Sequence, residues 1–152
     1  MSDMVDILHR VGIASTTPDQ VYEALVDPTR LAQWWTTRTR GEGTAGGTLE
    51  FRFDRDDGFD MKVLDTVPGR HVAWEVVGGP DDWIGTTITF DLRANEDGWT
   101  IVMFKHADWR EPVEFMHNCS TKWATFLLSL KSLLETGEGT PWPRDVKIDD
   151  YS

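Results

Sequence analysis

Few side chains in this sequence are of the types that do chemistry, and they are spread along the chain. The four histidines, His9, His71, His106 and His117, lack the spacing typical of metal ligands, and the one cysteine, Cys119, has no partner for a disulfide. The sequence therefore predicts no metal site, and no motif in it predicts a bound cofactor.

His106 has the most informative position of the four histidines. Strand alternation places it on the same face as Val102 and Phe104, where a histidine is more often satisfied by neighbouring core groups than used as an acid or base. The functional alternative is acid–base catalysis by His106 with a carboxylate such as Glu75 or Asp108 nearby.

Two motifs resemble ligand sites only in part. Residues 41–46 spell G-x-G-x-x-G, which cradles a pyrophosphate when it joins a strand to a helix, but here a strand follows. Asp54, Asp56, Asp57 and Asp60 resemble a calcium loop without the closing glutamate. We interpret the first motif as a flexible loop and the second as an acidic hairpin tip.

Composition limits the classes of partner. Fifteen Lys and Arg against 26 Asp and Glu give a net charge of -11, which disfavours nucleic acid and anionic membranes. No apolar run reaches the roughly 18 residues that cross a bilayer, and the N-terminus lacks the order of a signal peptide. With one cysteine, a cytoplasmic protein is expected. The length predicts a single domain over residues 1–152.

The N-terminal part of the chain predicts a strand followed by two short helices. The strand spans residues 5–14. Residues 17–20 have the form of a capping box for a helix over residues 18–26, and a second short helix over residues 28–35 ends with two tryptophans.

The middle of the chain alternates apolar and polar residues between turn signals at residues 57–58, 68–69 and 97–98, which predicts antiparallel strands. The alternating set is Leu49, Phe51, Phe53, Phe59, Met61, Val63, Val72, Trp74, Val76, Ile84, Thr86, Ile88, Phe90 and Leu92. The last strand, residues 99–106, is apolar on both faces, so we expect the long helix to cover one face and a loop, a short helix or a second subunit to cover the other.

Residues 111–137 predict a long amphipathic helix. Apolar residues recur there at spacings of three and four, Pro112 suits a first helical turn and Gly137 suits the position after the end. Strands followed by a long helix predict an α+β fold in which a curved antiparallel sheet grips that helix. The tail after Gly137 is expected to be irregular.

The order of several short motifs resembles the START-like, helix-grip SRPBCC superfamily, and within it the group of heat-shock-protein ATPase activator homologues. The motifs are Trp34-Trp35, Gly46-Gly47 before Leu49-x-Phe51, Val67-Pro68-x-Arg70 before Val72-x-Trp74, Val102-x-Phe104-x-His106-x-x-Trp109, and Trp123 with Leu130-x-x-Leu133-Leu134-Glu135-x-Gly137. The resemblance implies a cavity between sheet and helix that takes an apolar small molecule, with the two short helices closing one end. It carries over no catalytic residue.

Mapped onto this sequence, the resemblance implies a set of mostly apolar ligand-binding residues. They are Trp34, Phe51, Phe53, Met61, Trp74, Ile88, Phe90, Phe104, His106, Met116, Cys119 and Trp123. Plain core packing is the alternative interpretation of these residues.

The leading hypothesis is a non-enzymatic binder of an apolar or aromatic small molecule, with His106, Thr86 or Asn118 orienting a polar end of the ligand. The alternatives are a cyclase- or hydrolase-like enzyme and a chaperone-associated interaction module. The latter is disfavoured because we expect one domain, without the separate N-terminal domain of such co-chaperones. The two-sided last strand also predicts a homodimer interface at Trp99, Ile101 and Met103.

Overall fold

The computed structural model describes residues 4–150 and contains one antiparallel sheet and three α-helices. The elements are β1 (Val5–Ile13), α1 (Pro18–Val26), α2 (Pro28–Leu31), β2 (Arg38–Gly41), β3 (Thr48–Arg52), a 3-10 turn (Asp54–Asp56), β4 (Gly58–Val67), β5 (His71–Gly78), β6 (Thr87–Ala94), β7 (Thr100–Trp109) and α3 (Glu114–Thr136). The sheet order is β1-β7-β6-β5-β4-β3-β2, and every neighbouring pair is antiparallel. The predicted α+β helix-grip fold, a curved sheet around a long C-terminal helix with two short helices, is confirmed.

The two short helices begin where the capping signals place them. The Thr17 side chain accepts a hydrogen bond from the Gln20 amide while the Gln20 side chain accepts from the Thr17 amide, so the predicted capping box is formed. Asp27 caps α2 by accepting from the Thr29 amide. The second helix ends at Leu31, four residues before the predicted end.

The long helix α3 begins later than the sequence predicts. Its N-cap is Val113 and its first residue is Glu114, whereas the prediction placed Pro112 in the first turn. A turn in which the Val113 amide donates to the Glu111 carbonyl precedes the helix instead. The other end is as predicted, because Gly137 adopts the left-handed conformation with φ of 91° and donates to the Leu133 carbonyl.

Strand β7 is the second strand from one edge of the sheet, between β1 and β6. Its inner residues Val102, Phe104 and His106 are buried, and Phe104 contacts Trp123 of α3 with 4.6 Å between ring centroids. On the outer face Met103 keeps 42% of its surface exposed, so no described element of this chain covers it.

Two stretches differ from the predicted strand pattern. Strand β2 was not predicted because its four residues, Arg-Thr-Arg-Gly, show no apolar alternation. Strand β6 begins at Thr87 and not at Ile84, because turns occupy the preceding residues: the Trp83 amide donates to the Pro80 carbonyl and the Thr86 amide to the Trp83 carbonyl. The glycine-rich motif joins β2 to β3, so a strand follows it as predicted.

The segment after α3 is irregular, as predicted, but it is attached to the body of the fold. Trp142 bridges to Thr36, donating its amide to the Trp35 carbonyl at 2.7 Å and accepting from the Thr37 amide at 3.1 Å. The Thr140 amide donates to Ser129 Oγ of α3 at 2.7 Å. These bonds attach the segment to the C-terminal half of α3 and to the residues that follow α2. Within residues 4–150 no helix is long and apolar enough to span a membrane.

Candidate functional site

A cleft of about 550 Å³ lies between the first half of α3, the β3–β4 connection, the β5–β6 loop and the C-terminal segment. Eight of its lining residues are aromatic: Trp35, Phe53, Phe59, Trp83, Phe115, Trp123, Phe126 and Trp142. The others are Asp54, Arg55, Asp57, Asn118, Cys119, Lys122, Asp145 and Lys147. We call this site the aromatic cleft.

The rings of the aromatic cleft pack closely against one another. Trp83 stacks on Phe59 with 3.9 Å between centroids and an angle of 7°, and it lies nearly parallel to Trp123 at 6.0 Å. Trp35 contacts Trp123 at 4.9 Å and Phe51 at 4.2 Å. Rings that support each other in this way form a rigid apolar wall.

A buried chain of hydrogen bonds holds two of these tryptophans. Trp123 Nε1 donates to His106 Nδ1 at 3.1 Å, and His106 Nε2 lies 2.8 Å from Thr86 Oγ1. The Thr86 hydroxyl donates to the Trp83 carbonyl at 2.5 Å, so its oxygen accepts from His106 Nε2. This arrangement requires a neutral imidazole with its proton on Nε2. Burial lowers the pKa of His106 to about 3, in agreement with that neutral form.

The acid–base pair considered as an alternative is not formed by these contacts. Both ring nitrogens of His106 are bonded to Thr86 and Trp123, which are neutral groups. Glu75 pairs with Thr87 across β5 and β6, and Asp108 is exposed, with its amide bonded to Asp6. His106 therefore acts in this structure as a satisfied core histidine.

Cys119 lies in the wall of the aromatic cleft but is only 5% exposed. Its sulfur accepts a hydrogen bond from Trp83 Nε1 at 3.3 Å. Burial raises the pKa of the Cys119 thiol to about 12, against a smaller opposing effect of the bond from Trp83. The residue is a protonated thiol at neutral pH and contributes apolar surface to the cleft.

One end of the aromatic cleft, which we call the lysine end, carries the buried side chain of Asp145 and the two lysines that pair with it, Lys122 and Lys147. The Asp145 side chain is 2% exposed and pairs with Lys122 Nζ through Oδ2 and with Lys147 Nζ, at 2.7 Å, through Oδ1. Burial raises the pKa of Asp145, but the two ammonium groups outweigh it and hold the pKa below its usual value. Asp145 is therefore charged at neutral pH.

Three of the twelve predicted ligand-binding residues line the aromatic cleft, namely Phe53, Cys119 and Trp123. The structure places eight of the others inside the core: Trp34, Phe51, Met61, Trp74, Ile88, Phe90, Phe104 and His106. Met116 is half-buried and packs against that core. A ligand-binding role for these residues stays a prediction.

Sequence reasoning missed most of the residues that border empty space. Phe59 belongs to the apolar alternation of β4, and Trp35 belongs to the double-tryptophan motif. The sequence therefore indicated that both side chains face inward. Trp83 and Trp142 lie in a loop and in the irregular tail, where periodicity carries no information. Among residues 4–150 no group of three or more His, Cys, Asp or Glu side chains is arranged to hold a metal ion.

Comparison with known families agrees with the fold. A family model described as "Activator of Hsp90 ATPase homolog 1-like protein" matches residues 15–135, most of the chain. The chain belongs to this family. The resemblance inferred from the short motifs is thereby confirmed, and with it membership of the Aha1-homologue group of SRPBCC proteins.

Solved structures similar to this family member share the fold. The Aha1 dimer from Colwellia psychrerythraea is 44% identical with a TM-score of 0.81, over 89% of this chain and 99% of that one. SSP2350 from Staphylococcus saprophyticus is 22% identical with a TM-score of 0.72, over 89% and 95%. CalU16 from Micromonospora echinospora is 20% identical with a TM-score of 0.64, over 89% and 75%. The last two indicate the fold alone, and no curated protein matches the sequence.

Proposed function

We propose that this protein binds an apolar or aromatic small molecule in the aromatic cleft and is not an enzyme. The observation that carries the proposal is the cleft itself, about 550 Å³ in volume and walled by eight aromatic side chains. Ligand sites are mostly apolar concavities of roughly 300 to 1,000 Å³ with a few polar groups. This cleft has both properties.

The exposed parts of the aromatic walls provide the driving force for binding. Phe53, Phe59, Phe115 and Trp142 are only half-buried, so a ligand that covers them removes apolar surface from water. Each Å² so removed is worth about 25 cal/mol. The buried rings behind them are held in place without a ligand, which lowers the entropy cost of binding.

A polar end of the ligand has one neutral partner in the cleft. Of the three groups predicted to orient it, Asn118 lines the cleft and is half-buried. His106 and Thr86 instead satisfy each other in the core. We therefore assign orientation of an uncharged polar group to Asn118.

Native mass spectrometry of the purified protein tests for a retained ligand. An additional mass that is released on denaturation would support the proposal and begin to identify the ligand. If the measured mass is that of the protein alone, the next step is to add a probe, 1-pyrenebutanol. The fluorescence anisotropy of this probe rises when it binds in a protein cleft.

A blocking variant locates the probe. Asn118→Trp places a bulky ring in the cleft, and Thr121→Trp places the same ring on the exposed side of α3, three residues further on. We expect N118W to weaken 1-pyrenebutanol binding at least about tenfold, and T121W to bind like the wild type. If 1-pyrenebutanol fails to bind the wild type, or if both variants bind it equally, the proposed function is wrong.

We also propose that the protein forms a homodimer through the outer face of β7. Trp99 is 38% exposed and Met103 42% exposed, whereas Ile101 between them is buried. Exposed Leu8 lies on the same side of β1, opposite Lys105 of β7, and widens the apolar surface. The 44% identical relative is described as a dimer, which supports this proposal.

A chaperone-associated role is the second candidate function, and its support is the family description. The aromatic cleft does not bear on it, because a small concave site is not an interface of protein size. Addition of the purified protein to a heat-shock ATPase tests it directly, and an unchanged rate of ATP hydrolysis would contradict it.

A further inference from the structure

The lysine end of the aromatic cleft already contains a bound carboxylate, that of Asp145. Its side chain is almost fully buried, although Asp normally lies at the surface. Burial of a carboxylate is costly unless cations and hydrogen bonds compensate it. Here the compensation comes from two ammonium groups, those of Lys122 and Lys147, and both lysines line the cleft.

Lys122 is the part of this arrangement that belongs to a helix. It projects from α3, its side chain is 17% exposed, and its Nζ lies 5.1 Å from the centre of the Phe126 ring. Its other hydrogen bond goes to the Val146 carbonyl at 3.2 Å. The ammonium is therefore held at the junction of an aromatic wall and a carboxylate site, as in sites that recognise an acid attached to an apolar body.

Asp145, in contrast, is carried by an irregular segment. Hydrogen bonds at Thr140 and Trp142 attach this segment to the body, and beyond them Asp145 and the Val146 carbonyl both bind Lys122. Asp145 also lies outside residues 15–135, which the family model matches, whereas Lys122 lies within them.

We propose that Lys122 is the acid-recognition group of the aromatic cleft and that Asp145 is an internal occupant of its site. The ligand class is then an apolar or aromatic molecule with one carboxylate, which takes the place of Asp145 on Lys122. This inference rests on the proposed function and narrows its ligand class. Lys147, whose side chain is 48% exposed, pairs with the carboxylate that occupies the site, whether it belongs to Asp145 or to the ligand.

The β3–β4 side of the cleft does not offer an equivalent site. Arg55 lines the cleft there, but Asp54 and Asp57, which flank Arg55 in the sequence, line it as well and both are exposed. Two carboxylates beside one guanidinium leave a negative field there, which repels an acidic ligand. The carboxylate is therefore expected at the lysine end.

The test uses two probes with the same apolar body, 1-pyrenebutyric acid and 1-pyrenebutanol, in fluorescence anisotropy titrations at neutral pH. The quantity measured is the ratio of their dissociation constants. Asp145→Asn removes the internal carboxylate, and Glu135→Gln is the matched control, because Glu135 pairs with Lys131 of α3 and does not line the cleft. Lys122→Met removes the recognition group, with Lys131→Met as its control.

We expect D145N to bind the acid about tenfold more tightly relative to the alcohol than the wild type does. K122M should abolish the preference for the acid, and the two control variants should leave the ratio unchanged. Thermal unfolding checks that each variant is folded, and K122M decides the question if D145N does not fold.

Three results would overturn the inference. An unchanged ratio in both D145N and K122M would exclude acid recognition by Lys122 while the proposed function stands. If D145N binds both probes more tightly by the same factor, the segment only blocks the cleft and Lys122 does not select the acid. If neither probe binds the wild type or any variant, the proposed function is removed as well.

Discussion

At the scale of single residues, His106 connects the core to the cleft. Its ring lies 4.5 Å from Trp83 and 6.1 Å from Trp123, and the hydrogen-bond chain through Thr86 fixes both tryptophans. The chain is complete only while the imidazole is neutral, because Nδ1 must keep its lone pair to accept the hydrogen bond from Trp123 Nε1. Protonation of His106 would therefore disturb the aromatic walls together with the core.

The first prediction concerns the acid sensitivity of folding. The pKa of His106 is lowered from 6.5 to about 3 in the folded protein, so the unfolded chain binds a proton that the folded chain does not. His106 thus contributes stability above the pKa of 6.5 that is lost as the pH falls towards about 3. The free energy of unfolding should fall by up to about 1.4 kcal/mol per pH unit within that range.

The variant His106→Gln tests this assignment. The variant keeps a hydrogen-bonding side chain that does not titrate. Its free energy of unfolding at neutral pH should be lower than that of the wild type by about 1 to 3 kcal/mol, and this free energy should fall less steeply as the pH is lowered. Urea unfolding at several pH values measures both quantities. Equal acid dependence in the variant and the wild type would mean that other groups cause it.

At the scale of elements, the β3–β4 connection forms one wall of the cleft, with Phe53 before the 3-10 turn and Phe59 after it. Gly58 permits the strands to approach there, since a Cβ atom at this position would lie 1.8 Å from the Phe51 carbonyl oxygen. A real side chain requires the backbone to move. The hairpin and the two cleft phenylalanines would move with it.

The second prediction follows from that contact. Gly58→Ala should destabilise the protein by about 2 to 4 kcal/mol, because overpacking against backbone cannot be relieved by a rotamer change. Gly12→Ala is the control, since the nearest atoms to its Cβ would belong to side chains, Trp99 at 3.1 Å and Ile101 at 3.4 Å, which can shift. The control should lose under about 1 kcal/mol. Chemical denaturation measures both, and equal losses would contradict the described hairpin geometry.

The elements also explain how far the sequence could be interpreted. Period-two alternation and the long helical pattern identified most of the sheet and α3, since each buries one face. Strand β2 is polar throughout and gave no such signal. The cleft residues were predicted least well, because alternation shows which side chains face inward and not which of them border unfilled space. Trp74, for example, is fully buried while Phe59 lines the cleft.

At the scale of the whole molecule, the aromatic cleft and the outer face of β7 lie on opposite sides of the sheet. The aromatic cleft is bounded by α3 on the inner side, and the outer residues of β7 alternate with the inner ones. A dimer through the outer face would leave the cleft open in both copies. Ligand binding and dimerisation are therefore compatible, and each can be measured without the other.

The third prediction is that the wild type sediments as a dimer and that Met103→Lys weakens it. Met103 lies between Arg10 of β1 and Asp91 of β6, so a lysine at this position puts a charge that must be desolvated into the apolar surface of both copies. The dissociation constant should rise at least about tenfold. Leu128→Lys is the matched control, because Leu128 is 58% exposed on α3, away from β7, and its substitution should leave the dimer intact.

Analytical ultracentrifugation over a range of concentrations measures the association of all three proteins. If L128K dissociates and M103K does not, the interface lies on the exposed side of α3. If the wild type is a monomer, the proposal of a homodimer is wrong.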